Sequence, residues 1–178
     1  MPVKRLPSAI FLRECFSYNR RTGILRWKRR PQKHFKTRSY WARWNARYAG
    51  ARAGTLTHGY RGVVINSNGF LEHRIIWKLV TSRNPQETID HIDGNPSNNK
   101  LSNLRPANEA QQKWNAKHRR NNNSGSRGVY PTRARWFARI YVNGKSRHLG
   151  CFEVKEHAMA AYDAAARKLH GKFYRRPI

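Results

Sequence analysis

The sequence predicts an α+β protein built from two small modules, and three observations predict it. Short runs of alternating apolar and polar residues occur in both halves, bounded by Gly, Pro and Asn. Each half also carries a helical pattern packed after or among those runs, HRIIWKLVTSR in the first and KEHAMAAYDAAARKLH in the second. Between the halves lies KHRRNNNSGS, which is basic, then Asn-rich, then Gly and Ser, with no apolar period. The expected division is therefore a first module over residues 1–116, a linker over 117–125, and a second module over 126–178.

Ser8 to Phe16 reads as a helix after Pro7, with Ser8 as N-cap and Ile10, Phe11, Leu12 and Phe16 available for burial. NRRTGILRW is a turn entering a strand. Arg26 to Gly50 holds nine basic residues, six aromatics and no acid. Its Arg29, Arg30, Lys33, Arg43 and Arg47 are candidate phosphate contacts, while Trp27, Trp41 and Trp44 suit either core packing or stacking on bases. From Gly54 the pattern turns to strands around Tyr60, Val63 and Ile65, with Asn68-Gly69 as a tight turn. The helix from His73 places Ile75, Ile76, Leu79 and Val80 inward, and Asn84-Pro85 ends it. His73 reads as a hydrogen-bonded structural residue rather than a ligand.

Charge narrows the partner. The 178 residues include 37 Lys and Arg against 9 Asp and Glu, a formal charge of +28. Self-repulsion on that scale opposes a compact state, and a polyanion relieves it, so nucleic acid is the expected partner. Five of the nine acids fall between residues 51 and 115, and the flanks are strongly basic. Cys15 and Cys151 belong to no CxxC pair, which argues against a disulfide framework or thiolate zinc site and for a reducing cytoplasm. No apolar run approaches a membrane span, so no membrane partner is expected.

The densest set of acid/base groups is IDHIDGNPSNNKLSNLRPANEAQQ, Ile89 to Gln112. Phosphodiester hydrolysis needs an activated water, charge stabilisation on phosphate oxygens and help for the departing oxygen. One neutral imidazole and one divalent ion supply all three. Asp90, His91, Asn103 and NNK-LSNLR together resemble the HNH endonuclease family, in particular the small homing-type enzymes of bacteriophages. That resemblance implies a ββα-metal motif holding one divalent cation, Mg²⁺ first and Mn²⁺ second. It further implies Asp90 as metal ligand, His91 as general base and Asn103 as the residue pinning the hairpin loop. The second ligand would come from the following helix, capped by Asn108 or Glu109. There Gln112 stands where the family places Asn or His; its carbonyl oxygen suits a hard cation. Asn115, on roughly the same helix face, is the alternative. His118 points elsewhere and reads as a DNA-facing residue.

The second module gives three alternating runs, Gly128 to Thr132, Arg135 to Val142 and Lys145 to Phe152, with Asn143-Gly144 as a hairpin turn. A helix over Lys155 to His170 follows, with Ala158, Tyr162, Ala165 and Leu169 on one stripe and Gly171 as its stop. RGVY, RWFARI, HLGCF and AAYDAAA resemble the AP2/ERF DNA-binding domain, a three-stranded antiparallel sheet on one helix. By that resemblance Arg127, Arg139 and Tyr141 are DNA contacts, with His148 and Tyr130 departing from the plant members, and Arg135 and Arg147 join the basic set. The combined expectation is a metal-dependent endonuclease on double-stranded DNA, nicking or cutting both strands, placed by an AP2-like half. It would act as a monomer on DNA, with a dimer left open. The rival is a non-catalytic DNA-binding or regulatory protein with a decayed HNH module.

Overall fold

The computed structural model describes residues 5–116, 126–142 and 144–175. The expected linker at 117–125, His118 and the Asn143 half of the expected hairpin turn lie outside them. The chain divides into two compact units, Met1–Ala107 and Asn108–Ile178. The division falls at Ala107, ahead of a helix that the sequence assigned to the first module.

In the first unit, helix α1 (Ala9–Cys15) starts where the Ser8 hydroxyl accepts from the Phe11 N–H at 3.1 Å. It buries Leu12 and Cys15, whereas Ile10 is 72% exposed, contrary to expectation. The chain continues into an antiparallel hairpin of β1 (Phe16–Asn19) and β2 (Ile24–Trp27). Its turn is held by the Asn19 carboxamide, which accepts from the N–H groups of Arg21 and Thr22. The aromatic and basic stretch that follows contains helix α2 (Arg38–Tyr48), to which the sequence reading assigned no element; Thr37 caps it through the Tyr40 N–H at 3.1 Å.

Strands β3 (Thr55–Thr57), β4 (Tyr60–Ile65) and β5 (Asn68–Leu71) form an antiparallel sheet with β4 in the centre. The tight turn sits at Asn66-Ser67, not at the expected Asn68-Gly69. Asn66 and Ser67 have φ of 48° and 64°, the positive values a two-residue hairpin turn requires, and Asn68-Gly69 pairs inside β5. Helix α3 (Glu72–Thr81) buries Ile75 and Ile76, and it ends at Ser82 in the left-handed region, two residues before the expected Asn84-Pro85 stop. A last antiparallel pair, β6 (Thr88–His91) and β7 (Leu104–Ala107), opposes Asp90 to Arg105 and His91 to Leu104.

The core of this unit gathers Leu12, Phe16, Leu25, Val63, Ile65, Ile75, Ile76, Ile89 and Leu104. Side chains of this kind each contribute ~1.5–3 kcal/mol on burial. Trp27 belongs to that core, and Trp44 packs half-buried against it. Ile89 and Leu104 anchor β6 and β7 to the core, which fixes where the strand end at Asp90 and His91 must lie.

In the second unit, helix α4 (Glu109–Asn115) opens with a reciprocal cap: Asn108 Oδ1 accepts from the Gln111 N–H, and Gln111 Oε1 accepts from the Asn108 N–H, each at 2.9 Å. Strands β8 (Val129–Pro131), β9 (Trp136–Val142) and β10 (Lys145–Phe152) form a three-stranded antiparallel sheet in the order β10-β9-β8. Helix α5 (Lys155–His170) packs on it. The helix stripe is the expected one, with Ala158 and Tyr162 buried and Ala165 and Leu169 half-buried against the same core, and Ala166 and His170 are buried beside them. Val129, Ala138 and Ile140 fill the sheet face beneath.

Candidate active site

Asp90 and His91 are brought together with Asn103 at the end of the β6–β7 pair, inside the first unit. The loop between the strands is tied by side chains. Asn103 Nδ2 donates to Asp93 Oδ1 at 2.9 Å and to the Asn98 carbonyl at 2.8 Å, while its Oδ1 accepts from the Asp93 N–H at 3.0 Å. Asp93 also accepts from the Asn95 N–H and from Asn98 Nδ2. Partial burial opposes ionisation of Asp93. The hydrogen bonds from Asn98, Asn95 and Asn103, with the charge of His91, outweigh it and hold the carboxyl below its usual range.

His91 is 4% exposed, and its Nε2 lies 2.8 Å from Asn99 Oδ1. Asn99, itself 2% exposed, donates from Nδ2 to Glu72 Oε2 at 2.7 Å. Glu72 Oε1 accepts from the Leu25 N–H at 3.3 Å. The carboxylate fixes the amide orientation, so an oxygen faces the imidazole and Nε2 carries the proton. Nδ1 is thereby assigned as the basic nitrogen. Burial raises the Glu72 carboxyl, partly offset by Asn99, the Leu25 N–H, Arg52 and Arg61. Asn99 is in turn held by its backbone: Tyr18 Oη donates to the Asn99 carbonyl at 2.9 Å and accepts from the Leu101 N–H at 2.8 Å. Gly23 presses on the same stretch; a Cβ there would stand 2.6 Å from the Lys100 nitrogen.

Asp90 Oδ2 accepts from both Nε and Nη2 of Arg105, at 3.0 and 2.9 Å, with 12% and 11% of the two side chains exposed. His73 stands edge-on to His91 with ring centroids 5.0 Å apart, and Tyr60 lies 5.9 and 6.2 Å from the two imidazoles. Burial first, then the charges of His91 and Arg74, push His73 down to about 3. Among the described residues the His73 ring makes no hydrogen bond; ring packing holds it instead.

Other expected contacts are dispersed. In the first unit Arg29, Arg43 and Arg47 are exposed, and Lys33 pairs with Glu14 at 2.5 Å. Arg30 is 5% exposed beneath aromatic rings, so it does not stand on the open surface with them. In the second unit Arg127 does not face outward from the sheet. Its guanidinium donates to the carbonyls of Lys113, Trp114 and Ala116 and so caps the end of α4. Tyr130, Arg139, Tyr141 and His148 share the face opposite α5, since His148 opposes Arg139 and Tyr130 opposes Phe137. Arg147 opposes Ile140 and so belongs to the other face; Arg135 precedes β9 and is exposed. Gln112 is half-buried on α4 and Asn115 is 3% exposed.

Sequence reasoning missed Glu72, Asn99, Tyr18 and Arg105. The NNK and NLR strings contained two of them, but nothing in the sequence marks Glu72 or Tyr18 as partners of a loop far along the chain.

Among the described residues no group of three or more His, Cys, Asp or Glu side chains gathers to hold a metal. The donor chemistry at the strand end is of the kind a hard cation takes: one carboxylate oxygen donor, Asp90, held in place by the Arg105 guanidinium. An antiparallel pair ending in Asp-His, closed by an Asn-locked loop, is the arrangement of an HNH nuclease domain, and residues 70–113 match the HNH endonuclease family. The wider chain belongs to the same family as Protein 3.8 of Escherichia phage T7. It is 34% identical to that protein over 106 residues, which make up 58% of this chain and 87% of the relative. No solved structure matches the chain. No helix among the described residues is long and apolar enough to cross a membrane.

Proposed function

We propose that the protein is a metal-dependent DNA endonuclease. The observation that carries this reading is the His91–Asn99–Glu72 chain beside Asp90, in the segment that matches the HNH family. His91 Nδ1 takes the proton of the attacking water, and Asn99 holds the ring in the required tautomer. Glu72 and Tyr18 fix Asn99, while Asn103 and Asp93 keep the loop closed around the strand end. Arg105 orients the Asp90 carboxylate. Asp90 would hold the divalent ion, Mg²⁺ or Mn²⁺, whose chemistry when bound is Lewis-acid stabilisation of charge on the phosphate and leaving oxygens. By the resemblance of the sequence alone, Gln112, where the family carries Asn or His, is the candidate for a further oxygen ligand and Asn115 the alternative.

The second unit supplies placement. A three-stranded sheet presenting Arg139, Tyr141, Tyr130 and His148 on one face suits DNA contact by a sheet in the major groove, in the manner of the AP2-like domain its motifs resemble. The substrate is double-stranded DNA in the cytoplasm of the host cell.

Incubating plasmid DNA with the protein and Mg²⁺ or Mn²⁺, with and without chelator, tests the reading. Metal-dependent cutting that disappears in His91→Ala is expected. Binding without cutting under every divalent ion would instead make this a DNA-binding protein with a decayed nuclease site.

A further inference from the structure

A cleft of about 1070 Å³ in the first unit opens between helix α2 and the strands β3 and β4. Its two walls differ in chemistry. The helix side and the segment before it supply Phe35, Tyr40, Trp44 and Tyr48. These rings form a connected set: Phe35 is edge-on to Tyr40 at 5.5 Å and tilted to Trp44 at 5.5 Å, and Trp44 meets Tyr48 at 5.1 Å. The strand side supplies Gly54, Thr55, Gly62 and Val64, small residues that leave the rings open to a guest. A Cβ at Gly62 would meet nothing within 4 Å, and its neighbour on the same strand face, Val64, is 66% exposed.

The charge is one-sided. Lys36, Arg43, Arg47 and Arg52 line the cleft, and no acidic residue does. Arg30 sits at its base, 5% exposed, with its guanidinium 4.8 Å from the Phe35 ring and 5.0 Å from Trp44. It donates to His34 Nδ1 at 3.3 Å and to Asn66 Oδ1 at 3.5 Å. Among the described residues no carboxylate lies within ion-pair distance of it. Its place is fixed from the backbone, where Asn45 bonds both its N–H and its carbonyl and Trp41 Nε1 donates to the same carbonyl at 2.8 Å. A buried cation without an anion beside it, opening on a slot of aromatic faces, matches a guest that is anionic along one edge and flat along the other.

We propose that this cleft binds an unpaired segment of a DNA strand, with bases stacked on the aromatic wall and phosphates on the basic residues. A paired duplex presents phosphates and base edges but not base faces, so only an unstacked nucleotide satisfies both walls. The strand chemistry rests on the nuclease reading, since it takes DNA as the polymer; the cleft itself does not depend on catalysis.

The test is binding in the absence of any divalent ion, read by fluorescence anisotropy. The probes are a labelled thymidine oligonucleotide and an oligonucleotide of equal length built from abasic sites, which keeps the phosphates and removes the bases. The wild type binds the thymidine strand about 5- to 150-fold more tightly, the range of one stacked base. Gly62→Leu, which fills the slot where no atom stands, and Tyr40→Ala, at a 52% exposed ring, each abolish that preference while leaving the abasic affinity within about twofold. Equal affinity of the wild type for both probes, or a preference that survives in Tyr40→Ala and Gly62→Leu, overturns the proposal. Plasmid cutting is scored separately. A protein that never cuts but keeps the base preference refutes the nuclease reading alone, and one that cuts without the preference refutes the cleft alone.

Discussion

Replacing Asn99 by Ala tests the centre of the site. Asn99 is 2% exposed and stands between a donor and an acceptor that are also buried, His91 Nε2–H and Glu72 Oε2, at 2.8 and 2.7 Å. Removing the carboxamide strands both. Each buried group left unpaired costs ~1–3 kcal/mol, so unfolding free energy falls by about 2–6 kcal/mol, nearer 2–3 if water enters the vacated space. The bonds from Tyr18 Oη to the Asn99 carbonyl and from the Leu101 N–H to Tyr18 Oη survive the change, so the loop keeps its course. His91 loses the acceptor that sets its tautomer, and turnover drops roughly 10- to 100-fold, less than the ~10²–10⁴ that a general base contributes in full. Urea unfolding gives the first quantity, and steady-state cutting of plasmid gives the second. The ¹⁵N shifts of the His91 ring give a third: protonated Nε2 in the wild type, mixed tautomers in the variant. A variant with less than about 1 kcal/mol lost, or with unchanged tautomer and turnover, would refute the relay.

Acid should weaken the fold through His73. Its folded value of about 3 lies below the unfolded 6.5, so the unfolded chain binds more protons between those limits and stability is lost as pH falls across them. Between pH 7 and pH 4 the loss is about 3 kcal/mol, on the order of 1.4 kcal/mol per unit, since the ring is 5% exposed. Urea midpoints at pH 7 and pH 4 for the wild type and His73→Leu check this; Glu72, raised by burial, titrates in the opposite sense in both, so the difference isolates His73. Identical pH slopes would count against it. At Gly23, with φ of 75° and the Lys100 nitrogen in the way, Ala should destabilise by more than the ~1 kcal/mol of a left-handed backbone and lower turnover through Asn99. Thermal melting beside plasmid cutting reads both, and a variant as stable as the wild type would show that the turn does not press on the loop.

The parts of the fold legible in the sequence were those whose signals are local. Alternation and turn residues placed β8, β9, β10 and α5 within a residue or two, and Asp90, His91 and Asn103 lie within one hairpin, so a short motif carries them. Helix α2 escaped although Tyr40, Trp44 and Tyr48 recur at i, i+4 and i+8, because the arginines and lysines around them drew the reading to phosphate contact; it buries only Asn45 and lines a cleft with those rings. The turn at Asn66-Ser67 escaped because Asn-Gly two residues later was the stronger local signal, and strand register decided otherwise. Glu72 drew no reading from the sequence; it is 1% exposed, and its partner Asn99 stands 27 residues away, beyond the reach of any local pattern. Arg127 read as a DNA contact until the carbonyls at the end of α4 gave its guanidinium a nearer task.

The hairpin β1–β2 gives the nuclease motif a longer reach in sequence than its family match suggests. That match begins at residue 70, but the loop bearing Asn99 leans on Tyr18 and Gly23, and Glu72 is bonded to Leu25. The smallest piece that could be moved to another scaffold with its histidine still aimed therefore starts no later than Phe16. Changes at Tyr18, Gly23 or Leu25, outside the matched segment, then bear on the loop and carboxylate that hold His91.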